Sequence, residues 1–212
     1  MGKMDEQIIV VRRSALFGDK EELVFQGIME QADKVVQLEQ NLALYWTVMR
    51  RGDAEEDPEF KQPIPYAIIQ RGKDYFSYRR LGGGAESRLH GKLSIGVGGH
   101  MNAVEENTDF HQVMAANLRR ELSEEIVIDV PAAQQTIHTL GFINDDEGAV
   151  GRVHIGILAL IQLPPHAHVI VREKDKLEGQ WLQLEDLRQT AIRERLESWS
   201  AFAVDVLNAS SR

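Results

Sequence analysis

Acidic chemistry is densest in one short stretch of the chain. In Arg120-Glu121-Leu122-Ser123-Glu124-Glu125 the three glutamates stand at i, i+3 and i+4. On a helix these positions share one face. Like charges so close repel, and partial burial would raise their pKa values. A divalent cation reverses the problem, because hard ions such as Mg²⁺ prefer oxygen ligands and retain waters and substrate phosphates. Such an ion polarises a phosphoryl oxygen and acidifies an attacking water. Taken alone, the same acids also fit a solvated helix face.

The surrounding elements are positioned to display this face. A helix is expected over 109–126, with Asp109 as N-cap and Gln112 three residues on as its capping-box partner. Ala115, Leu118, Leu122 and Ile126 form an apolar stripe beside the acids. Upstream, strands are expected over 7–11, 64–70, 75–80 and 92–97, with a turn at 71–74 and a glycine-rich loop at 82–84. A helix is expected over 35–50, where Leu38, Leu42, Tyr45 and Met49 recur at helical spacing. An acidic Gly- and Pro-containing loop over 52–58 follows it. Downstream, strands are expected over 136–143, 153–163, 169–171 and 180–184, before an amphipathic helix carrying Leu196, Trp199, Ala203, Val206 and Leu207. This order implies an α/β fold, a mixed sheet covered by helices. Residues 1–61 read as an N-terminal extension that packs on the core or forms a homodimer interface, and 62–212 as the domain that carries the glutamates.

Composition narrows the function classes. The chain has 212 residues with a net charge of −9, which argues against nucleic acid as partner, since that binding draws on phosphate neutralisation. No apolar run reaches the roughly 18 residues of a membrane span, and the polar N-terminus lacks a signal-peptide core. There is no cysteine, hence no disulfide or thiolate chemistry. A cytoplasmic protein without a membrane partner is expected.

Gly98-Gly99 ends one strand, Glu105 follows Gly99 after five residues, and then comes the Arg120–Glu125 stretch. This resembles the Nudix box, Gly-x5-Glu-x7-Arg-Glu-aliphatic-x-Glu-Glu-x-Gly-aliphatic, with Ile128 at the last aliphatic position. Two departures stand out. Fourteen residues separate Glu105 from Arg120 where the box has seven, and Val127 replaces the final Gly. β-Branched residues adopt positive φ only at a cost, so the helix must end differently here.

The resemblance implies a Nudix-like α/β/α sandwich, a Mg²⁺ or Mn²⁺ cofactor and hydrolysis of a small-molecule diphosphate substrate. It implies Glu121, Glu124 and Glu125 as metal ligands, Arg120 as the residue holding them, and the backbone carbonyl of Gly98 or Gly99 as a further ligand. Glu105 is expected to loop back toward the metal, the alternative being that the lengthened loop is an inert surface excursion. A general base is expected among Glu173, Asp175 and Glu178, with Glu178 preferred because it precedes the strand at Trp181. Arg79, Arg88, Lys92 and Arg152 are candidate phosphate ligands. His100 and His154 are expected to make structural hydrogen bonds, and His166 and His168 to sit at a loop or strand edge. The alternatives are a non-catalytic nucleotide sensor on the same fold and isoprenyl diphosphate isomerisation. The latter ranks last because its usual form needs a cysteine.

Overall fold

The computed structural model describes residues 2–81, 91–104, 109–172, 174–175 and 177–209. In chain order the first half comprises β1 (Gln7–Arg12), α1 (Arg13–Phe17), β2 (Gly27–Met29), α2 (Ala32–Tyr45), β3 (Trp46–Arg50), α3 (Arg51–Ala54), β4 (Phe60–Arg71), β5 (Asp74–Arg80), β6 (Leu93–Ser94) and β7 (Gly96–Gly98). Then come α4 (Phe110–Glu125), β8 (Ile126–Ile128), β9 (Thr136–Asn144), β10 (His154–Leu163), β11 (Val169–Val171), β12 (Leu177–Gln183), α5 (Leu184–Arg188), α6 (Thr190–Arg193) and α7 (Ser198–Ala209). The fold is α/β, built on a large mixed sheet with the order β12-β5-β4-β10-β9-β2, as expected.

The chain forms two compact units. The first comprises Met1–Tyr66, Gly98–Arg120 and Leu140–Leu158. Its core joins Ile9 and Val11 of β1, Leu38 and Leu42 of α2, Phe110 and Val113 of α4, and Ile155 and Ile157 of β10. Strand β1 is apolar at four consecutive buried positions, Ile8 to Val11, so both its faces are covered. It pairs antiparallel with β3 from Gln7↔Arg50 to Val11↔Trp46.

That pairing corrects the helix expected over 35–50. Helix α2 stops at Tyr45, and Trp46-Thr47-Val48-Met49-Arg50 is a strand. Aromatic and β-branched residues favour a strand when an edge is offered, and β1 offers one. Tyr45, expected to be apolar-face, is accordingly exposed. The loop expected over 52–58 likewise begins as the short helix α3.

The second unit comprises Ala67–Val97, Glu121–Thr139 and Ala159–Arg212. Here β4 and β5 form a hairpin through Gly72, whose φ of 61° suits glycine. Strand β12 pairs along the whole of β5, from Leu177↔Arg80 to Gln183↔Asp74. It therefore starts earlier than the expected 180–184. Trp181 stacks edge-on against Phe76 at 5.4 Å, and the Arg71 guanidinium lies 4.1 Å from the Trp181 ring. The strand expected over 92–97 is two strands, β6 and β7, interrupted at Ile95, whose N–H donates to the buried Ser200 hydroxyl (3.1 Å).

Helix α4 starts as expected. The Gln112 N–H donates to the Asp109 carboxylate at 2.9 Å, the N-cap bond. Its end explains Val127. No left-handed turn follows Glu125; the chain passes straight into β8, and Val127 pairs with Ile170 of β11. A strand position tolerates the β-branched residue that a glycine turn would not.

Candidate functional site

Arg120, Glu121, Glu124 and Glu125 occupy the last two turns of α4. Glu124 is exposed, whereas Glu121 and Glu125 are half-buried. The Arg120 guanidinium donates to the His100 backbone carbonyl at 2.8 Å and to the Asn117 side-chain oxygen at 3.2 Å. Asn117 is buried. It accepts from the Asn102 N–H (2.9 Å) and donates to the carbonyls of Asn102 and Val113, both at 2.9 Å. One amide thus ties the segment after Gly98-Gly99 to the helix. Gly98 ends β7 beside β4, where an added Cβ would run into the Pro65 carbonyl oxygen. Only glycine permits that backbone approach.

In the first unit lies a polar cluster that sequence spacing did not connect. Glu55 follows α3, Gln62 lies on β4, His100 follows β7 and His154 opens β10. The His154 Nδ1 is 2.6 Å from the Val150 carbonyl, an acceptor only, so this nitrogen carries the proton. His154 Nε2 therefore turns a lone pair toward His100 Nε2, 3.1 Å away. His100 Nε2 is also 2.7 Å from Gln62 Oε1 and 3.5 Å from a Glu55 oxygen. Both histidines make the hydrogen bonds expected of them. Burial, with the neighbouring His100 charge, pushes the His154 pKa down to about 4. The hydrogen bond to His100 outweighs burial at Glu55 and, with the charges of His154 and Arg51, holds its carboxyl down at about 2.

Beside it, Lys61 is fully buried. Its ammonium donates to Asp146 (2.7 Å), the Gly151 carbonyl (2.9 Å) and the His154 carbonyl (3.2 Å). Asp146 also accepts two bonds from Arg13, at 3.0 and 2.7 Å. Burial alone would raise the Asp146 pKa, but the bonds from Arg13, Lys61 and Asn144 hold it well below the usual carboxylate range. Burial lowers the Lys61 pKa against the opposing pull of Asp146. Nothing local marks Lys61 as buried, because its strand neighbours carry no special spacing.

In the second unit, Arg79 of β5 and Glu178 of β12 stand directly opposite and form an exposed ion pair. With Leu81, Val171, Lys174, Leu177 and Gly179 they line an open groove of about 440 Å³. Lys92 reaches the Glu194 carbonyl (3.3 Å). The His168 backbone N–H donates to the Asp129 carboxylate at 2.7 Å, its ring Nδ1 stands 2.9 Å from the same carboxylate, and the residue lies just before β11. Arg152, in the first unit, is exposed in a turn over Gly151–Val153. Glu105, Arg88, Glu173 and the glycine loop at 82–84 lie outside the described residues.

No family model matches the chain. It is 52% identical over 207 residues to protein YmaB of Bacillus subtilis (strain 168), covering 98% of this chain and all of that one. Among solved structures, Tm1382, assigned as a Nudix hydrolase, superposes with a TM-score of 0.78 at 27% identity, covering 97% of this chain and 100% of that one. A bifunctional NMN adenylyltransferase/ADP ribose pyrophosphatase from Francisella tularensis, complexed with AMP and a Mn ion, shares the fold at a TM-score of 0.50 and 14% identity, over 72% of this chain and 42% of that one.

Proposed function

Because the chain belongs to the Nudix hydrolase superfamily and is a Nudix-type pyrophosphohydrolase, we propose that it cleaves the diphosphate linkage of a nucleoside diphosphate derivative, using a divalent ion held by Glu121, Glu124 and Glu125. Helix α4 carries this reading. It presents the three glutamates at i, i+3 and i+4, directly after an arginine that anchors the segment following Gly98. The donors are carboxylate oxygens on a partly solvent-open face, the hard set that suits Mg²⁺ or Mn²⁺. A bound ion would supply Lewis-acid polarisation of the phosphoryl group and a more acidic water.

The protein's own groups divide the remaining work. We assign the backbone carbonyl of Gly98 or Gly99 as a further ligand, and Arg120 as a positioning residue for the segment after β7. Glu105 is assigned as a further ligand. Arg79 and Lys174 place two cations on the β5–β12 groove, suited to hold phosphate oxygens. Arg88 and Arg152 are further phosphate contacts. Glu178, on the groove with Arg79, is the candidate to take a proton from the attacking water as its oxygen bonds to phosphorus and the bridging P–O bond breaks. The name and ligands of the Francisella enzyme support placing ADP-ribose and Mn²⁺ first among the candidates.

The test is a screen of Mg²⁺ and Mn²⁺ against a panel of nucleoside diphosphate derivatives, with product identification. Release of a nucleoside monophosphate that stops on chelation is the expected result. Nucleotide binding without turnover at any metal concentration would replace this reading with the sensor.

A further inference from the structure

Glu55, His100 and His154 lie outside the glutamate motif, and all three belong to the first unit. Their potential ligand atoms lie within 4.8 Å of one another. We infer that they form a second metal site, a two-histidine, one-carboxylate centre for a divalent transition ion such as Zn²⁺.

The distances fit. With metal–nitrogen and metal–oxygen bonds near 2.0–2.2 Å, tetrahedral ligand atoms stand roughly 3.4 Å apart. The separations of 3.1 Å between the two Nε2 atoms and 3.5 Å from His100 to Glu55 bracket that figure. His154 already has the orientation of a ligand. Its Nδ1–H is committed to a backbone carbonyl at 2.6 Å, leaving Nε2 to face the centre. Metal-binding histidines almost always fix their second nitrogen in this way.

The hydrogen bonds are incomplete without an ion. Three acceptors converge on one position: His154 Nε2, Gln62 Oε1 and the Glu55 carboxylate. His100 Nε2 has at most one proton to share among them. Gln62 is fully buried at this spot, and among the described residues its Nε2 has no hydrogen-bond partner. A buried donor left over is costly, and it is available to a metal-bound water or to the liganding carboxylate. A cation satisfies the converging lone pairs directly, once His100 carries its proton on Nδ1.

Charge permits it. Among the described residues the nearby cations are Arg51, 3.5 Å from Glu55, Lys61, whose ammonium is neutralised by Asp146, and Arg120, whose guanidinium is held on the His100 backbone carbonyl and the Asn117 side-chain oxygen. Glu55 and Asp145 add further negative charge. His154 is buried whereas His100 and Glu55 are part-exposed, so one side of the centre stays open to water. Three protein ligands and an open position are the arrangement of catalytic rather than structural zinc. Two imidazoles select Zn²⁺ and Co²⁺ over Mn²⁺, and exclude Mg²⁺.

The test uses Co²⁺ alone as the probe on metal-stripped full-length protein, read by visible ligand-field absorption and by paramagnetically shifted imidazole N–H resonances. Wild type should show shifted resonances from two histidines, saturating with one equivalent of Co²⁺ beyond any held by the glutamates of α4. A Glu121→Gln/Glu124→Gln variant should retain them, which separates this centre from the proposed catalytic one. His100→Gln and Glu55→Gln should each weaken binding by at least about a hundredfold. Folding of each variant is checked by circular dichroism, and the half-exposed Glu55 provides the second variant if His100→Gln is unstable. Absence of shifted imidazole resonances in wild type would overturn the inference. So would their loss in the glutamate double variant with both His100→Gln and Glu55→Gln binding normally.

Discussion

Replacing Asp146 with alanine should destabilise the protein far more than replacing its partner Lys61 with methionine. Lys61 is fully buried, and Asp146 supplies the only carboxylate hydrogen-bonded to its ammonium among the described residues. Asp146→Ala leaves that charge among backbone carbonyls and also removes both bonds from Arg13. Breaking a buried pair from one side costs about 3–5 kcal/mol. The Asp146 side chain retains 28% of its exposure, so water can partly reach the vacated position, and the lower half of that range, about 3–4 kcal/mol, is expected. Lys61→Met is different. Asp146 keeps Arg13 and Asn144, methionine fills the volume, and two carbonyls lose a donor, at about 1–2 kcal/mol. With a urea m-value of about 2 kcal/mol/M, the midpoint should fall by about 1.5–2 M for Asp146→Ala and by less than about 1 M for Lys61→Met. The double variant should be more stable than Asp146→Ala, because no buried charge is then left unpaired. Equal losses for the two single variants, or a double variant no better than Asp146→Ala, would refute the reasoning.

Acid should reveal the same pair. Because the Asp146 pKa is depressed in the fold, its contribution is complete above the unfolded value of 3.8 and is lost as pH falls below it; urea midpoints between pH 6 and pH 2 should fall less steeply for Asp146→Asn than for wild type. Glu124→Gln or Glu125→Gln should lower kcat by at least about a hundredfold with the fold intact, and activity that resists chelation would count against the metal. Asn117→Leu strips partners from Asn102 and Arg120 at once, so stability should drop by about 2–4 kcal/mol and kcat should fall with it; denaturation and steady-state kinetics on the same sample check both. Gly98→Ala should cost at least about 3 kcal/mol, since the new methyl meets the backbone of Pro65 and no side chain can yield; a normal melting temperature would contradict that.

Local patterns were legible wherever short-range geometry decides the outcome. The α4 helix follows from its cap and its apolar stripe, and the shared face of Glu121, Glu124 and Glu125 follows from helical spacing alone. The Gly72 hairpin and the buried run of β10 are equally local. Where a partner strand decides, the sequence misleads. The helical spacing from Leu38 runs on to Met49, yet the pairing of β1 with β3 ends the helix at Tyr45. Val127 could be read as a defect until β11 supplied it with a strand partner.

The polar centres were beyond reach of any spacing. Glu55 and Gln62 stand seven residues apart but on either side of a break between α3 and β4, and His100 and His154 lie far along the chain from them and from each other. Lys61 carries no sign of burial in its neighbours, and its charge is balanced by Asp146, eighty-five residues away. Residue type and local period determine which side chains share a face of one element, because the backbone repeat is fixed by sterics. Which faces meet depends on packing among elements distant in sequence, and only the tertiary structure brings those charges and lone pairs together.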